Sequence, residues 1–358
     1  MRINMRTNTG ILRIVACKYE FLRTIKPIYV QNFYFNIFRF VVTLQNFRED
    51  HTSKNLAGLL DACIRKIPGL NLAKTMLTSV NDNAANIVRG IRISETVTGQ
   101  VRCVAHTLQL VLNDCMDSQP EVSEIIRKCK ALAALTHRSS KQANKIKMMC
   151  ERLNSDSAQN TQWEYRVIIS PGGVRWNSTY MCMDSVMKLE EPLLQLKTDD
   201  ADFRDITPSE EEFEILEEIL PMLKAFHIVT QQLSAENSIT MHCVLATLYD
   251  LTCFLEKSNA KPAQSHLQPV RAWAKRALKR LSERYPNYGA DINEFALGHF
   301  LNPEYKGLLC QMKNKESWDR MLEDFIDTNS QVIHTLHEIF GNLRIISCYL
   351  RTITSLYV

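Results

Sequence analysis

Asp82 is the first of four places in this 358-residue chain where residue types and spacing could do chemistry. It follows a short β-branched run and precedes a helical pattern, so we expect it at the carboxyl end of a strand, where α/β sheets gather ligands. A carboxylate there could hold a metal ion for phosphoryl transfer. Asp is also a good helix cap, so a purely capping role stays open.

Cys103 and His106 are three residues apart at the start of a second predicted helix, hence on one face of it. They could form half of a zinc site, or the His could activate a thiol nucleophile. The sequence near them offers neither a second pair of ligands nor an orienting partner. A packed Cys beside a hydrogen-bonded His is the simpler interpretation.

Arg175 and Trp176 follow the turn-forming run Pro171–Gly173 and open another predicted helix. An Arg beside an exposed Trp could clamp a phosphate while the indole stacks on an unpaired base. A buried Trp covered by the stem of its Arg neighbour is the alternative.

The strongest basic stripe lies between residues 271 and 284. On a helix its cations form two rows, with Ala274, Leu278 and Leu281 predicted to face the core. Two rows of cations suit a phosphate backbone, although a solvated helix face has the same pattern. The six cations are Arg271, Lys275, Arg276, Lys279, Arg280 and Arg284.

The elements that would position these residues change character near residue 100. Before it, alternating patterns predict a strand at 37–44, a helix at 52–67, a strand at 74–80 and a helix from Ala84, which is typical of a parallel α/β layer. Beyond it the predicted elements are helices, at 103–118, 120–152, 175–197, 208–234, 239–257, 268–285 and 317–341. We therefore predict an α/β portion followed by a large all-α portion.

Composition excludes several classes of protein. The chain is 45% hydrophobic and 23% charged with a net charge of +4, which is ordinary for a globular protein and excludes collagen-like or wholly disordered chains. Its 11 cysteines include no Cys-x-x-Cys pair, which favours reduced thiols and argues against a zinc finger within the chain. Polar residues interrupt the apolar run near residue 30, so we expect no membrane association.

The first residues have a different charge balance from the rest. Residues 1–48 contain eight Lys or Arg against one acid, Glu20. We interpret residues 1–36 as a basic leader rather than as part of the folded core. A mitochondrial transit peptide fits poorly, because the aromatic stretch before Phe40 is not a Ser-rich amphipathic helix.

Four blocks of the sequence, in order, resemble the hAT superfamily of DNA transposases, particularly the domesticated group joined to BED-type zinc fingers. Residues 79–88 (SVNDNAANIV) are similar to its "TDNASNM" block, and residues 102–110 (RCVAHTLQL) to its Cys-x-x-His-x-Leu-x-Leu block. Residues 175–180 (RWNSTY) match its "RWNSTY" block, and residues 296–306 (ALGHFLNPEYK) resemble its "LATFLDPRYK" block.

The resemblance implies a partial RNase H-like core at residues 37–118, with a helical insertion domain at 119–358 that stops before the chain returns to the core. It aligns Asp82 with the second carboxylate of the family's metal-binding Asp-Asp-Glu set. Cys103 and His106 align with the pair beside that site. Trp176 aligns with the insertion-domain Trp that handles distorted DNA.

Departures from the family pattern decide our expectation about catalysis. Residues 1–48 contain no Asp, and the family's final Glu, its C-terminal dimerisation block and its BED finger are not found. Two-metal chemistry needs several carboxylates, so we predict a catalytically inactive remnant. We expect no cofactor; Mg²⁺ or Mn²⁺ would be needed only if the protein were catalytically competent.

We predict that the chain binds DNA through the helical domain and lies in the nucleus, as its family implies. Self-association, or association with related transposase-like proteins, is a further expected interaction. The alternatives are a protein-interaction scaffold without DNA binding, or an active transposase whose missing acid is Glu20 or Asp50.

Overall fold

A computed structural model of the chain describes residues 2–5, 11–21, 35–46, 50–67, 70, 72, 77–82, 84–156, 162–172, 176–234, 240–260, 264–285 and 295. The chain divides into two compact units. The first comprises residues 1–240 and 250–287, and the second comprises residues 241–249 and 288–358. The predicted helix at 317–341 and the block at 296–306 lie outside the described residues.

Five described strands form two sheets in the first unit. Strands β1 (Arg2–Met5), β4 (Thr78–Asn81) and β5 (Gly99–Arg102) pair in parallel in the order β1-β4-β5. Strands β2 (Ile11–Phe21) and β3 (Phe35–Asn46) form an antiparallel pair with one register shift. Two strands thus fall within residues 1–36, where we predicted a leader.

Helices α1 (Ser53–Arg65) and α2 (Ala85–Ile93) pack closely on each other, and α2 also packs on strands β4 and β5 of the parallel sheet. The approach is close enough to favour glycine at position 90, because a Cβ there would lie 3.0 Å from the Ser53 carbonyl oxygen. Their apolar faces form one core cluster with Leu77, which directly precedes β4, and Leu60, Ile64 and Leu77 of this cluster are fully buried. Burial of an apolar face is what stabilises short helices of this kind.

Beyond the strands and these two helices, the remaining α-helices alternate with loops such as residues 162–172. The helices are α3 (Val104–Met116), α4 (Pro120–Arg138), α5 (Ser140–Asp156), α6 (Trp176–Met187), α7 (Glu190–Asp199), α8 (Ala201–Arg204), α9 (Glu210–Leu233), α10 (Val244–Ala260) and α11 (Gln268–Arg284). Among the described residues the protein is predominantly helical, as predicted. No described helix is both long enough and apolar enough to cross a membrane.

The predicted helix at 208–234 is confirmed as α9, which begins two residues later than predicted. Ser209 caps it, its hydroxyl accepting from the Glu212 N–H at 3.2 Å while the Glu212 carboxylate accepts from the Ser209 N–H at 2.7 Å. This reciprocal capping box satisfies two backbone donors.

Two further differences concern short elements. Strand β5 was missed, because within Gly99–Arg102 only Val101 is apolar and buried, too little for a strand pattern. The single helix predicted at 120–152 is divided at Ser139, whose extended backbone ends α4. The predicted strand at 37–44 and the predicted helix at 52–67 are confirmed as β3 and α1, within a few residues at their ends.

Candidate functional site

The carboxyl edge of the parallel sheet brings the first two candidate groups together. Asn81 ends β4 and pairs with Arg102 at the end of β5. The Cys103 N–H donates to the Asn81 carbonyl oxygen at 2.8 Å, so the two strands are joined where the chain leaves them. Asp82 and Cys103 therefore lie at one edge, although 21 positions separate them in sequence.

Asp82 directly follows β4 and is half-buried. Its Oδ1 atom accepts a long hydrogen bond of 3.4 Å from the Ala84 N–H. The side chain thus helps to turn the chain towards α2, but the N-cap of that helix is Ala84, which has no side-chain cap, so Asp82 is not itself the cap. Its position at the strand end is the one that a metal-binding role would also need.

Cys103 and His106 are both half-buried at the start of α3. Cys103 is the residue before the first turn of α3, and its carbonyl accepts from the Thr107 hydroxyl at 3.0 Å. Among the described residues, no group of three or more His, Cys, Asp and Glu side chains is placed to hold a metal ion.

Trp176 begins α6 and is only 6% exposed. Its ring centroid lies 6.2–6.5 Å from those of three neighbouring rings, which belong to Tyr180, Phe226 and His227. The indole is therefore part of the helical core, and a base cannot reach its face in this arrangement. Arg175 lies outside the described residues.

Helix α11 has one buried and one charged side. Trp273, Ala274 and Leu281 are buried, as are Val270 and Ala277. Lys275 and Lys279 are exposed on the other side, and the Lys279 Nζ lies 3.8 Å from the Glu283 carboxylate. Of the residues expected to face the core, Ala274 and Leu281 do so fully, and Leu278 is half-buried.

Three of the four arginines of α11 are engaged with other helices. Arg271 is 11% exposed, with its guanidinium 3.4 Å from the Glu218 carboxylate of α9. Arg280 and Arg284 both reach Asp114 on α3. These acidic partners were missed, because Asp114 and Arg284 are 170 positions apart and nothing local signals their contact.

Tyr285, which directly follows α11, is a further residue that the sequence did not single out. Burial raises the pKa of its phenol well above the usual value, while the nearby charges of Arg284 and Arg102 act in the opposite direction. Arg102 precedes Cys103 at the sheet edge. The end of α11 is therefore anchored close to the carboxyl edge of the parallel sheet.

Comparison with known proteins gives matches to transposases. A protein-family model, that of the ZBED1 RNase-like helical domain, matches residues 101–222. A Zea mays protein described as an AC transposase is 24% identical over 250 residues, which cover 68% of this chain and 28% of that protein. A second, described as an AC9 transposase, is 22% identical over 261 residues, covering 68% of this chain and 30% of that protein.

The chain is therefore similar to hAT-type transposases. Another relative of this hAT-like chain, from Talaromyces stipitatus, is described as the transcriptional regulator tpeD. It is 24% identical over 294 residues, 72% of this chain and 31% of that protein. The hAT-like chain thus matches about three-tenths of the length of these curated relatives.

The family match covers only some of the candidate residues. It begins within β5, ends inside α9, and includes Cys103, His106 and Trp176. Asp82 and the whole of α11 lie outside it. Their roles therefore depend on geometry and on the resemblance of single blocks.

Proposed function

We propose that this transposase-derived protein associates with nucleic acid through the charged side of α11. The observation that carries this proposal is the pair of exposed lysines, Lys275 and Lys279, one turn apart on a helix whose other side is buried. Lysines placed this way act on phosphates as point charges. The descriptions of the relatives, two transposases and one regulator of transcription, support the same class of partner.

We further propose that the strands belong to an RNase H-like core interrupted by the helical domain. The parallel order β1-β4-β5, joined in sequence to the antiparallel pair β2-β3, supports this. So does the chain order, with α1 between β3 and β4 and α2 between β4 and β5. The helices from α4 onward would then form the insertion.

We infer that the protein does not catalyse DNA cleavage. In the register of the parallel sheet, Asn4 and Met5 of β1 lie opposite Val80 and Asn81 of β4. The strand beside Asp82 thus supplies no carboxylate, whereas two-metal chemistry needs several. The residues described do not fit a pair of Mg²⁺ or Mn²⁺ ions, and Asp82 alone does not make such a site.

The test is fluorescence anisotropy with the purified 358-residue protein on duplex, hairpin and single-stranded DNA, between about 50 and 200 mM salt. The parent should bind all three, and its affinity should fall steeply as salt rises. The double variant Lys275→Ala/Lys279→Ala should bind every DNA more weakly, with a salt slope smaller by about 2, because two phosphate contacts are lost.

A matched control removes two exposed lysines elsewhere, Lys54 on α1 and Lys130 on α4. This control should retain the parent affinity and slope. If both double variants bound DNA equally weakly, the loss of affinity would be explained by net charge alone, and the assignment to α11 would be contradicted. A folded parent that binds none of the three DNAs would remove the proposal, and a protein-interaction scaffold would then take its place.

Inactivity is tested by incubating supercoiled DNA with the protein and Mg²⁺ or Mn²⁺. We expect no nicking above that of the Asp82→Asn variant. Metal-dependent nicking that disappears in this variant would show an active transposase. We also propose nuclear localisation and self-association, which imaging of the tagged protein and light scattering would test directly.

A further inference from the structure

Two arginines of α11 converge on one carboxylate oxygen of α3. The Arg280 Nε lies 3.1 Å from the Asp114 Oδ2, and one terminal nitrogen of Arg284 lies 2.9 Å from the same oxygen. All three side chains are about 30% exposed. The cluster therefore lies at the surface, where a solute could reach it.

Donors outnumber acceptors in this cluster. The Nε atoms of Arg276, Arg280 and Arg284 are buried and have no hydrogen-bond acceptor with suitable geometry among the described residues. Each guanidinium has five N–H donors, while the acids beside it are Asp114 and, for Arg280, Glu283 at 2.7 Å. Three cations facing two acids leave a positive excess at the junction of α3 and α11.

We propose that Arg276, Arg280 and Arg284 form a subsite for one phosphodiester group of nucleic acid, in which Asp114 is the internal acceptor that the phosphate displaces. Phosphate oxygens accept the paired N–H donors of guanidinium groups as a carboxylate does, and they accept more of them. Asp114 thus lowers affinity by competing for the same two arginines. The subsite rests on the proposed function, since it names one phosphate-binding position on α11.

Arg280 and Arg284 of the cluster lie on the side of α11 that meets α3, whereas Lys275 and Lys279 are exposed. Arg284 and Tyr285 end α11 close to Arg102 and so to the sheet edge that carries Asp82. Lys275 lies more than two helical turns away from Arg284 along α11. A strand bound by the lysines and by this cluster would therefore run along α11 towards the sheet edge.

The decisive variant is Asp114→Asn, measured by the same DNA titrations. It should bind duplex DNA several-fold more tightly than the parent near 100 mM salt. Its salt slope should be steeper by about 1 to 2, because two guanidinium groups become available for phosphate. The control is Asp117→Asn, which makes the same charge change at an exposed carboxylate three residues further along the chain.

A second readout is thermal protection by inorganic phosphate, compared with chloride at equal ionic strength. Phosphate should raise the melting temperature of Asp114→Asn more than that of the parent or of Asp117→Asn. Adding Arg280→Gln and Arg284→Gln to Asp114→Asn should abolish both the gain in DNA affinity and the extra protection. If circular dichroism shows that Asp114→Asn is unfolded, the Arg280→Gln/Arg284→Gln protein alone decides, and it should lose the protection seen in the parent.

The outcomes separate the subsite from the proposed function. If the parent binds DNA but Asp114→Asn binds no better than Asp117→Asn, the subsite is overturned and the function of α11 is not. If no variant binds DNA but phosphate still protects Asp114→Asn selectively, the subsite is retained and nucleic acid is rejected as its partner. If no variant binds DNA and phosphate does not protect Asp114→Asn selectively, both the subsite and the proposed function are overturned.

Discussion

Thr96 donates two hydrogen bonds to the same carboxylate oxygen of Asp61, from its hydroxyl at 2.7 Å and from its backbone N–H at 3.1 Å. The carboxylate also accepts from the Ser94 hydroxyl and from the Glu95 N–H, at 2.5 and 3.1 Å. A buried residue of α1 thereby fixes the loop that leads from α2 into β5. That loop sets where Arg102 and Cys103 leave the sheet.

Replacing Asp61 should therefore destabilise the α/β portion strongly. Asp61→Ala leaves several donors of the loop without an acceptor, and we expect a loss of about 2–3 kcal/mol in the free energy of unfolding. Chemical denaturation at pH 7 measures this loss. Asp50→Ala, which removes an exposed carboxylate, should change stability by less than about 0.5 kcal/mol. Equal losses in the two variants would contradict the role given to Asp61.

Asp61 should also make stability depend on acid pH. Burial raises the pKa of its carboxyl, but the hydrogen bonds from Ser94, Glu95 and Thr96 outweigh it and hold the pKa below the ordinary value. The stabilisation is then fully present above the unfolded-state pKa of about 3.9 and is lost as pH falls through the lower folded-state value. Asp61→Asn should remove this part of the acid dependence, as unfolding curves between pH 7 and pH 2 would show. If the dependence of stability on acid pH were the same in Asp61→Asn as in the parent, the contribution assigned to Asp61 would be contradicted.

The start of α9 provides a paired test of capping. Ser209→Ala removes the hydroxyl that accepts from Glu212 and should cost about 1 kcal/mol of stability. Thr207→Val should be neutral or stabilising, because the buried Thr207 hydroxyl has no hydrogen-bond partner among the described residues. Urea unfolding of both variants measures the difference. The reverse order of stabilities would place the cap at Thr207 instead of Ser209.

Thiol reactivity should differ sharply between the sheet edge and the helical core. Burial raises the pKa of Cys115 to about 12, and that of Cys182 to about 11, so both remain protonated at pH 8. Cys103 is half-exposed at the sheet edge. Iodoacetamide should therefore modify Cys103 in the native protein well before Cys115 or Cys182, as mass spectrometry of the time course would show. Equal rates for the three thiols under native conditions would refute the burial described.

Trp176 should behave as a core residue. Trp176→Ala removes a buried indole packed against three rings and should cost about 3–5 kcal/mol. The half-buried Trp163 serves as the control, since Trp163→Ala should cost clearly less. Denaturant unfolding measures both. The prediction that Trp176 handles unpaired bases requires that the indole leave this cluster, so hairpin binding that quenches its fluorescence would support that role.

Local sequence patterns were sufficient for the elements with strong periodicity. The apolar spacing of residues 56–67 predicted α1, and the strand predicted at 74–80 placed Asp82 just beyond a strand end. The contact of Asp114 with Arg280 and Arg284 could not be predicted, because it depends on how α11 docks on α3. For the same reason the six cations of α11 looked alike in sequence, whereas the structure separates two exposed lysines from four half-buried arginines.

The docking of α11 on α3 has a consequence for how the chain is made. Arg284 is synthesised 170 residues after Asp114. At roughly 5–20 residues per second, α3 emerges roughly 10–30 s before the helix that covers it. Closing so long a loop also adds entropy cost to this step. The α/β portion can therefore form early during translation, whereas Asp114 has no ion pair with Arg280 and Arg284 until α11 has been synthesised.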